Sequence, residues 1–88
     1  MSARLSEANQ TGVNFLIVEL DTALTFMNVA RATDIEGTVQ RNYRNALKAH
    51  DVVVRLLPKL KPIPAQRQNI EEKLTSLKEQ LKAAGYHV

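Results

Sequence analysis

The sequence contains no cysteine and only two histidines among its 88 residues. Disulfide bridges are therefore excluded, and a structural zinc site, which takes about four cysteine or histidine ligands, lacks the residues to form. Tryptophan is also absent, and glycine and proline occur three times each. A chain this small, without covalent or metal crosslinks, has to be stabilised by good helix packing or by a partner.

Long uninterrupted apolar runs are missing as well. No run approaches the ~20 apolar residues that a membrane-spanning helix needs, and the first residues lack the apolar stretch of a signal peptide. We therefore expect a cytoplasmic protein that does not enter a membrane. Hydrophobic residues make up 44% of the chain and charged residues 24%, a composition that predicts one soluble domain over residues 1–88.

Apolar residues recur at spacings of three and four residues in three segments, and no segment alternates with the two-residue period of a strand. This pattern predicts helices over about residues 6–32, 34–57 and 64–84, with residues 1–5 and 86–88 frayed. Thr33 and Glu36 have the spacing of a capping box at the start of the second helix. Three prolines between Pro58 and Pro64 make residues 58–63 a stiff connector, and Gly85 is placed to end the third helix. The expected fold is all-α, an antiparallel up-down-up three-helix bundle.

The first predicted helix has two apolar faces. One carries a stripe that runs from Leu5 to Ala30, and large side chains lie on nearly the opposite side of the helical wheel. We interpret this second face as a surface for dimerisation or partner docking. The alternative is that the helix lies centrally and its neighbours cover both faces. The candidate contact residues are Phe15, Val18, Phe26 and Val29.

The outward face of the second helix is basic, because five cationic residues fall within about 60° on the wheel. Residues 34–62 hold a net charge of +3, equal to that of the whole chain. Such a face indicates binding of nucleic acid or another polyanion, or a solvated face on which Asp51 bridges Lys48 and Arg55. The second interpretation is favoured, because no aromatic residue interleaves the cations for base stacking. The five residues are Arg41, Arg44, Lys48, Arg55 and Lys59.

Patterns that support catalysis or metal binding are missing. The sequence has no Gly-x-Ser-x-Gly elbow, no phosphate-binding glycine loop and no pair of carboxylates on one helix face. His50 has no histidine or carboxylate at the third or fourth residue after it, so the helical pairs that build metal sites do not occur. We expect no enzymatic activity, no cofactor and no small-molecule substrate. We expect His50 to be a partly buried ring with one nitrogen bonded to a carbonyl or water.

Two short runs, Asn42-Tyr43-Arg44-Asn45-Ala46-Leu47-Lys48-Ala49-His50 and Glu79-Gln80-Leu81-Lys82, together with the proline connector between them, resemble helices two and three of MIT domains. The similarity covers roughly residues 34–84. MIT domains are three-helix bundles that bind short partner helices. The resemblance implies a peptide-binding groove between helices two and three, lined near Leu74, Leu77 and Leu81.

The sequence as a whole therefore predicts a small, non-enzymatic module for protein–protein interaction. We expect it to form a homodimer or to bind a helical partner through the second face of the first helix. Binding of nucleic acid or another polyanion through the basic face of the second helix is the alternative.

Overall fold

Three helices make up the protein in the computed structural model, which describes residues 3–88 and the side chains from Glu7 onward. They are α1 (Ala3–Ala32), α2 (Glu36–Leu56) and α3 (Pro64–Ala83), and a 3₁₀ turn at Leu57–Lys59 follows α2 directly. The helices pack against one another, and the described residues contain no strand. The predicted all-α three-helix bundle is confirmed.

The core is built around α1. Its fully buried positions follow a strict alternation of three and four residues, which places them on one line along the helix. They are Val13, Leu16, Leu20, Ala23, Met27 and Ala30. Smaller residues of α2 and larger ones of α3 close the core around that line, so both helices depend on α1 for their burial. The buried residues of α2 are Ala46, Ala49, His50 and Val53, and those of α3 are Ile70, Leu77 and Leu81.

Polar contacts fix the direction of α3 relative to α1. Lys73 Nζ lies 2.5 Å from Asp21 Oδ1, and about two turns further along α3 Gln80 accepts a hydrogen bond from Arg31. Both helices therefore run the same way, while α2 returns between them after a three-residue loop. The result is an elongated molecule of 51 × 18 × 18 Å.

The α1–α2 loop differs from the predicted capping box. The amide of Thr33 still donates to Val29 of α1, and Thr33 Oγ1 accepts from the amide of Ile35. The residue that caps α2 is Ile35, so the helix begins two residues later than predicted. Glu36 cannot reach back to Thr33, and its carboxylate accepts from Gln40 Nε2 at 3.0 Å instead.

The C-terminal end that the sequence predicts to be frayed makes defined contacts with the bundle. At the C-terminus Gly85, with φ +98°, takes the left-handed position after α3, and the amide of Tyr86 donates to Leu81 at 3.0 Å. This Schellman arrangement confirms Gly85 as the stop. It also turns Tyr86 back onto the core, where its ring lies 5.8 Å from that of Tyr43, and Val88 packs there too. At the other end α1 begins at Ala3, whereas residues 1–2 of the predicted frayed segment lie outside the described residues.

The connector between α2 and α3 is fastened to the start of α1. Asn9 donates through Nδ2 to the carbonyl of Lys61 at 3.0 Å and accepts through Oδ1 from the amide of Lys61 at 2.8 Å. Next to this pair, Leu60 covers Gly12, and a Cβ built on Gly12 would lie 2.7 Å from Leu60 Cδ2. The absence of a side chain at Gly12 thus lets the connector approach α1.

This close approach predicts that Gly12→Ala has opposite effects in two backgrounds. With Leu60 present, the added methyl group displaces the Leu60 side chain, and we expect a lower free energy of unfolding. In Leu60→Ala the space is open, and the same change should stabilise by about 1 kcal/mol, the helix-propensity difference between glycine and alanine. Urea unfolding of the four variants measures both effects. Equal effects in the two backgrounds would contradict the packing described for Gly12.

Candidate functional site

The second apolar face of α1 is exposed in the bundle. Val18 is 60% exposed, Phe15 44% and Val29 41%, so among the side chains described from Glu7 onward, half of the six large hydrophobic ones that remain exposed lie on this one helix. The other three are scattered, with Ile35 in the first loop, Val54 on α2 and Ile63 in the connector. Single exposed apolar residues are ordinary, whereas a cluster on one face marks a contact surface.

Phe26 differs from its three predicted companions. On a wheel of 100° per residue it lies about 40° from buried Ala30 and about 60° from buried Ala23. Its ring is half-buried and packs against the core. The prediction that Phe26 belongs to the second apolar face stays a prediction: the ring lies about 20° from Phe15 on the wheel, at the edge of that face, and part of it packs against the core.

The exposed face extends well beyond the three large side chains. Eight exposed residues without charge follow one another at alternating steps of three and four, the same spacing as the buried line on the opposite side. They cover about 36 Å of helix at 1.5 Å per residue. We call this set the outer stripe of α1. Its members are Ala8, Thr11, Phe15, Val18, Thr22, Thr25, Val29 and Ala32.

Sequence reasoning missed five members of the outer stripe. Thr22 is polar, so it interrupts the second apolar face when that face is judged by hydropathy alone. Thr25 shows why a threonine is compatible with a dry contact, since its Oγ1 donates to the carbonyl of Asp21 at 3.0 Å within the helix. Its hydroxyl proton is thus satisfied before any partner arrives. The signal that reveals the stripe is its spacing of three and four, not its hydropathy.

The five cations of the basic face of α2 are all exposed. Asp51 does not bridge Lys48 and Arg55, because its carboxylate accepts from Nδ1 of the buried His50 at 3.0 Å. Over residues 7–88, none of the five cations forms an ion pair with a carboxylate. The cations are thus solvated, as the interpretation that the sequence favoured expects, but the bridge through Asp51 does not form.

The groove that the MIT resemblance implies is closed in this bundle. Leu77 and Leu81 are fully buried, and Leu74 is half-buried against the core. A partner helix has no access to them unless α2 and α3 separate. The three residues serve the core, where they hold α3 onto α1.

A small cleft lies near the end of α1, where Arg31 and Tyr43 meet the last turn of α3. Its volume is about 170 Å³, below the ~300 Å³ at which ligand pockets begin. In the part of the chain that the structure describes, no cluster of three histidine or acidic side chains is arranged to hold a metal ion.

The hydropathy of α1 is high for a bundle helix. Between Glu7 and Ala32 it is long and apolar enough to cross a membrane by length and composition, with a mean hydropathy of 1.3. No uninterrupted apolar run reveals this segment in the sequence, because threonine and asparagine separate the apolar residues of α1. A third of its most apolar window is buried inside the bundle.

Comparison with known proteins gives no relative: the chain matches no family model, no curated protein and no solved structure. The resemblance to MIT domains thus remains one of sequence pattern, and the function has to be argued from the surface of this chain.

Proposed function

We propose that the protein is a non-enzymatic interaction module that forms a homodimer through the outer stripe of α1. The observation that carries the proposal is the exposure of Phe15, Val18 and Val29 on one line of a helix whose opposite line builds the core. Such a helix can pack against two neighbours at once. A cytoplasmic location is part of the proposal, since a dimer that covers this stripe removes the apolar surface of α1 from water.

The amount of exposed surface supports an interface with a second copy of the chain. The solvent-accessible area is 5850 Å², whereas a compact monomer of 9.9 kDa exposes about 5200 Å². The excess of about 650 Å² approaches the ~800 Å² that each partner contributes to a standard interface. The radius of gyration, 14.4 Å against about 12 Å for a compact chain of this length, points the same way.

A second copy is the occupant that the chain itself favours. The outer stripe carries no charge, so two copies can meet along it without burying an unpaired ion. Symmetric homodimers are the commonest oligomers, and they require a surface that is compatible with itself. A different helical protein with an apolar face is the competing occupant, and solution mass separates the two.

A charge placed on the outer stripe should dissociate the dimer. Val18→Asp puts a carboxylate at the most exposed valine of the stripe, twice in each dimer. We expect the dissociation constant to rise at least 100-fold, which corresponds to about 2.7 kcal/mol. Light scattering over a dilution series measures this change. Circular dichroism should report unchanged helix content, because the residue does not contribute to the core.

Val54→Asp is the matched control, since Val54 is 47% exposed on α2, outside the stripe. It should leave the dissociation constant within about threefold of the native value. A native protein that remains monomeric at every concentration, or two variants that weaken association equally, would refute the homodimer.

Polyanion binding through α2 is the second candidate function, because Asp51 is engaged with His50 and leaves the neighbouring cations without an internal partner. Arg41, Arg44, Lys48 and Arg55 extend over about 21 Å of helix at 1.5 Å per residue. That spacing matches a backbone of regularly placed phosphates more closely than a single anion.

If this candidate holds, a labelled DNA duplex should bind at low salt, with a slope of log K against log salt of up to about −4.5 for five phosphate contacts. Arg44→Glu with Lys48→Glu should abolish the change in fluorescence anisotropy. Lys78→Glu with Lys82→Glu, two exposed lysines of α3, makes the same change in net charge elsewhere. Equal losses in both double variants would show that only net charge acts, and no binding by the native protein would eliminate the candidate.

A further inference from the structure

The outer stripe has nearly the same chemistry in both directions along the helix. Starting from a point between Ala23 and Leu24 and moving outward, threonine is met on both sides, at Thr22 and Thr25, and then valine on both sides, at Val18 and Val29. The next pair outward is Phe15 and Ala32, which have the largest and the smallest side chains among these six residues. A surface with this symmetry meets the requirement of a two-fold axis perpendicular to the helix.

We propose that α1 pairs antiparallel with α1 of a second copy, about a two-fold axis that passes beside the Ala23–Leu24 peptide. The proposal deepens the homodimer proposed above and rests on it. In this arrangement Val18 packs on Val29 of the partner subunit, and Thr22 lies opposite Thr25 of the partner subunit. Phe15 packs over Ala32 of the partner subunit.

Packing of side-chain volume favours this register over a parallel one. Antiparallel pairing combines the large Phe15 with the small Ala32, and it pairs side chains of similar size in the two layers between them. The helix axes can then keep one spacing along the contact. A parallel pair would place both phenylalanines in one layer and both copies of Ala32 in another, which forces the helices apart at one end and leaves a gap at the other.

The threonine layer can be fully hydrogen-bonded. Thr25 Oγ1 donates to the carbonyl of Asp21 within its own helix, so its oxygen keeps lone pairs with which to accept. In the proposed dimer Thr22 of the partner subunit donates to that oxygen, and by symmetry the same bond forms on the other side of the axis. Both threonine pairs therefore enter the interface without an unsatisfied hydroxyl proton.

Acidic residues at the edges of the stripe select this register among the antiparallel ones. With the axis beside Ala23–Leu24, Glu19 borders Phe26 of the partner subunit and Asp21 borders Asn28 of the partner subunit. If the axis moves half a heptad toward the N-terminus, Glu19 and Asp21 each face their own copy, and like charges across an interface are unfavourable. A further half heptad removes that repulsion but places Val29 opposite position 4, beyond the outer stripe.

Disulfide trapping tests the register directly, because the chain has no cysteine of its own. We would prepare Val18→Cys and Val29→Cys separately, oxidise each alone and as an equal mixture, and analyse the products by non-reducing electrophoresis and peptide mass. In the proposed dimer, identical positions lie about 16 Å apart along the axis, far beyond the ~4 Å between Cβ atoms in a disulfide. Each variant alone should therefore remain reduced, and the mixture should form the mixed disulfide between positions 18 and 29.

Val54→Cys serves as a control for random collision, and Val18→Cys mixed with Thr22→Cys tests the register displaced by half a heptad. Strong crosslinking of each single variant alone would indicate parallel helices. A dimeric mass without the mixed disulfide of positions 18 and 29 would likewise overturn the proposed axis, while the homodimer itself stands. A monomeric mass for both variants and for the native chain would instead refute the proposed function.

Discussion

The buried line of α1 is the interaction on which the rest of the structure depends. Val13, Leu20 and Met27 mark its course, and both α2 and α3 bury their apolar residues mainly against it. The short side chains of α2, such as Ala46 and Ala49, permit that helix to lie close, whereas α3 fills its side with isoleucine and leucine. Any change that tilts or rotates α1 therefore disturbs both of its neighbours. The orientation of α1 about its own axis also determines which residues form the outer stripe.

Helical periodicity in the sequence was sufficient to predict the three helices, their order and the buried line of α1, because burial of an apolar face dominates helix packing. It failed where two local options compete. The sequence pairs Thr33 with Glu36, but the last turn of α1 already uses the amide of Thr33, and this shifts the start of α2. Tyr86 was expected to fray, yet the turn at Gly85 returns its ring to the core.

Only part of the candidate site was predicted, because the sequence does not show how the helices pack. Hydropathy identifies Phe15, Val18 and Val29, but it cannot show that part of the Phe26 ring packs against the core. It undervalues threonine, whose hydroxyl can be satisfied by its own helix, as in Thr25. Only the bundle shows which line of α1 remains uncovered, because that depends on where α2 and α3 pack.

The central claim is that α1 has two packing lines, one for its own bundle and one for a second copy. The chain contains only two phenylalanines, the exposed Phe15 on the outer stripe and the half-buried Phe26 at its edge, so fluorine NMR of the protein labelled with fluorophenylalanine observes both at once. On dilution from the dimer to the monomer, we predict a large shift of the Phe15 resonance and a smaller one for Phe26, which only borders the contact and packs partly against the core. Resonances that stay constant over the whole dilution series, or a Phe26 shift larger than that of Phe15, would contradict the account.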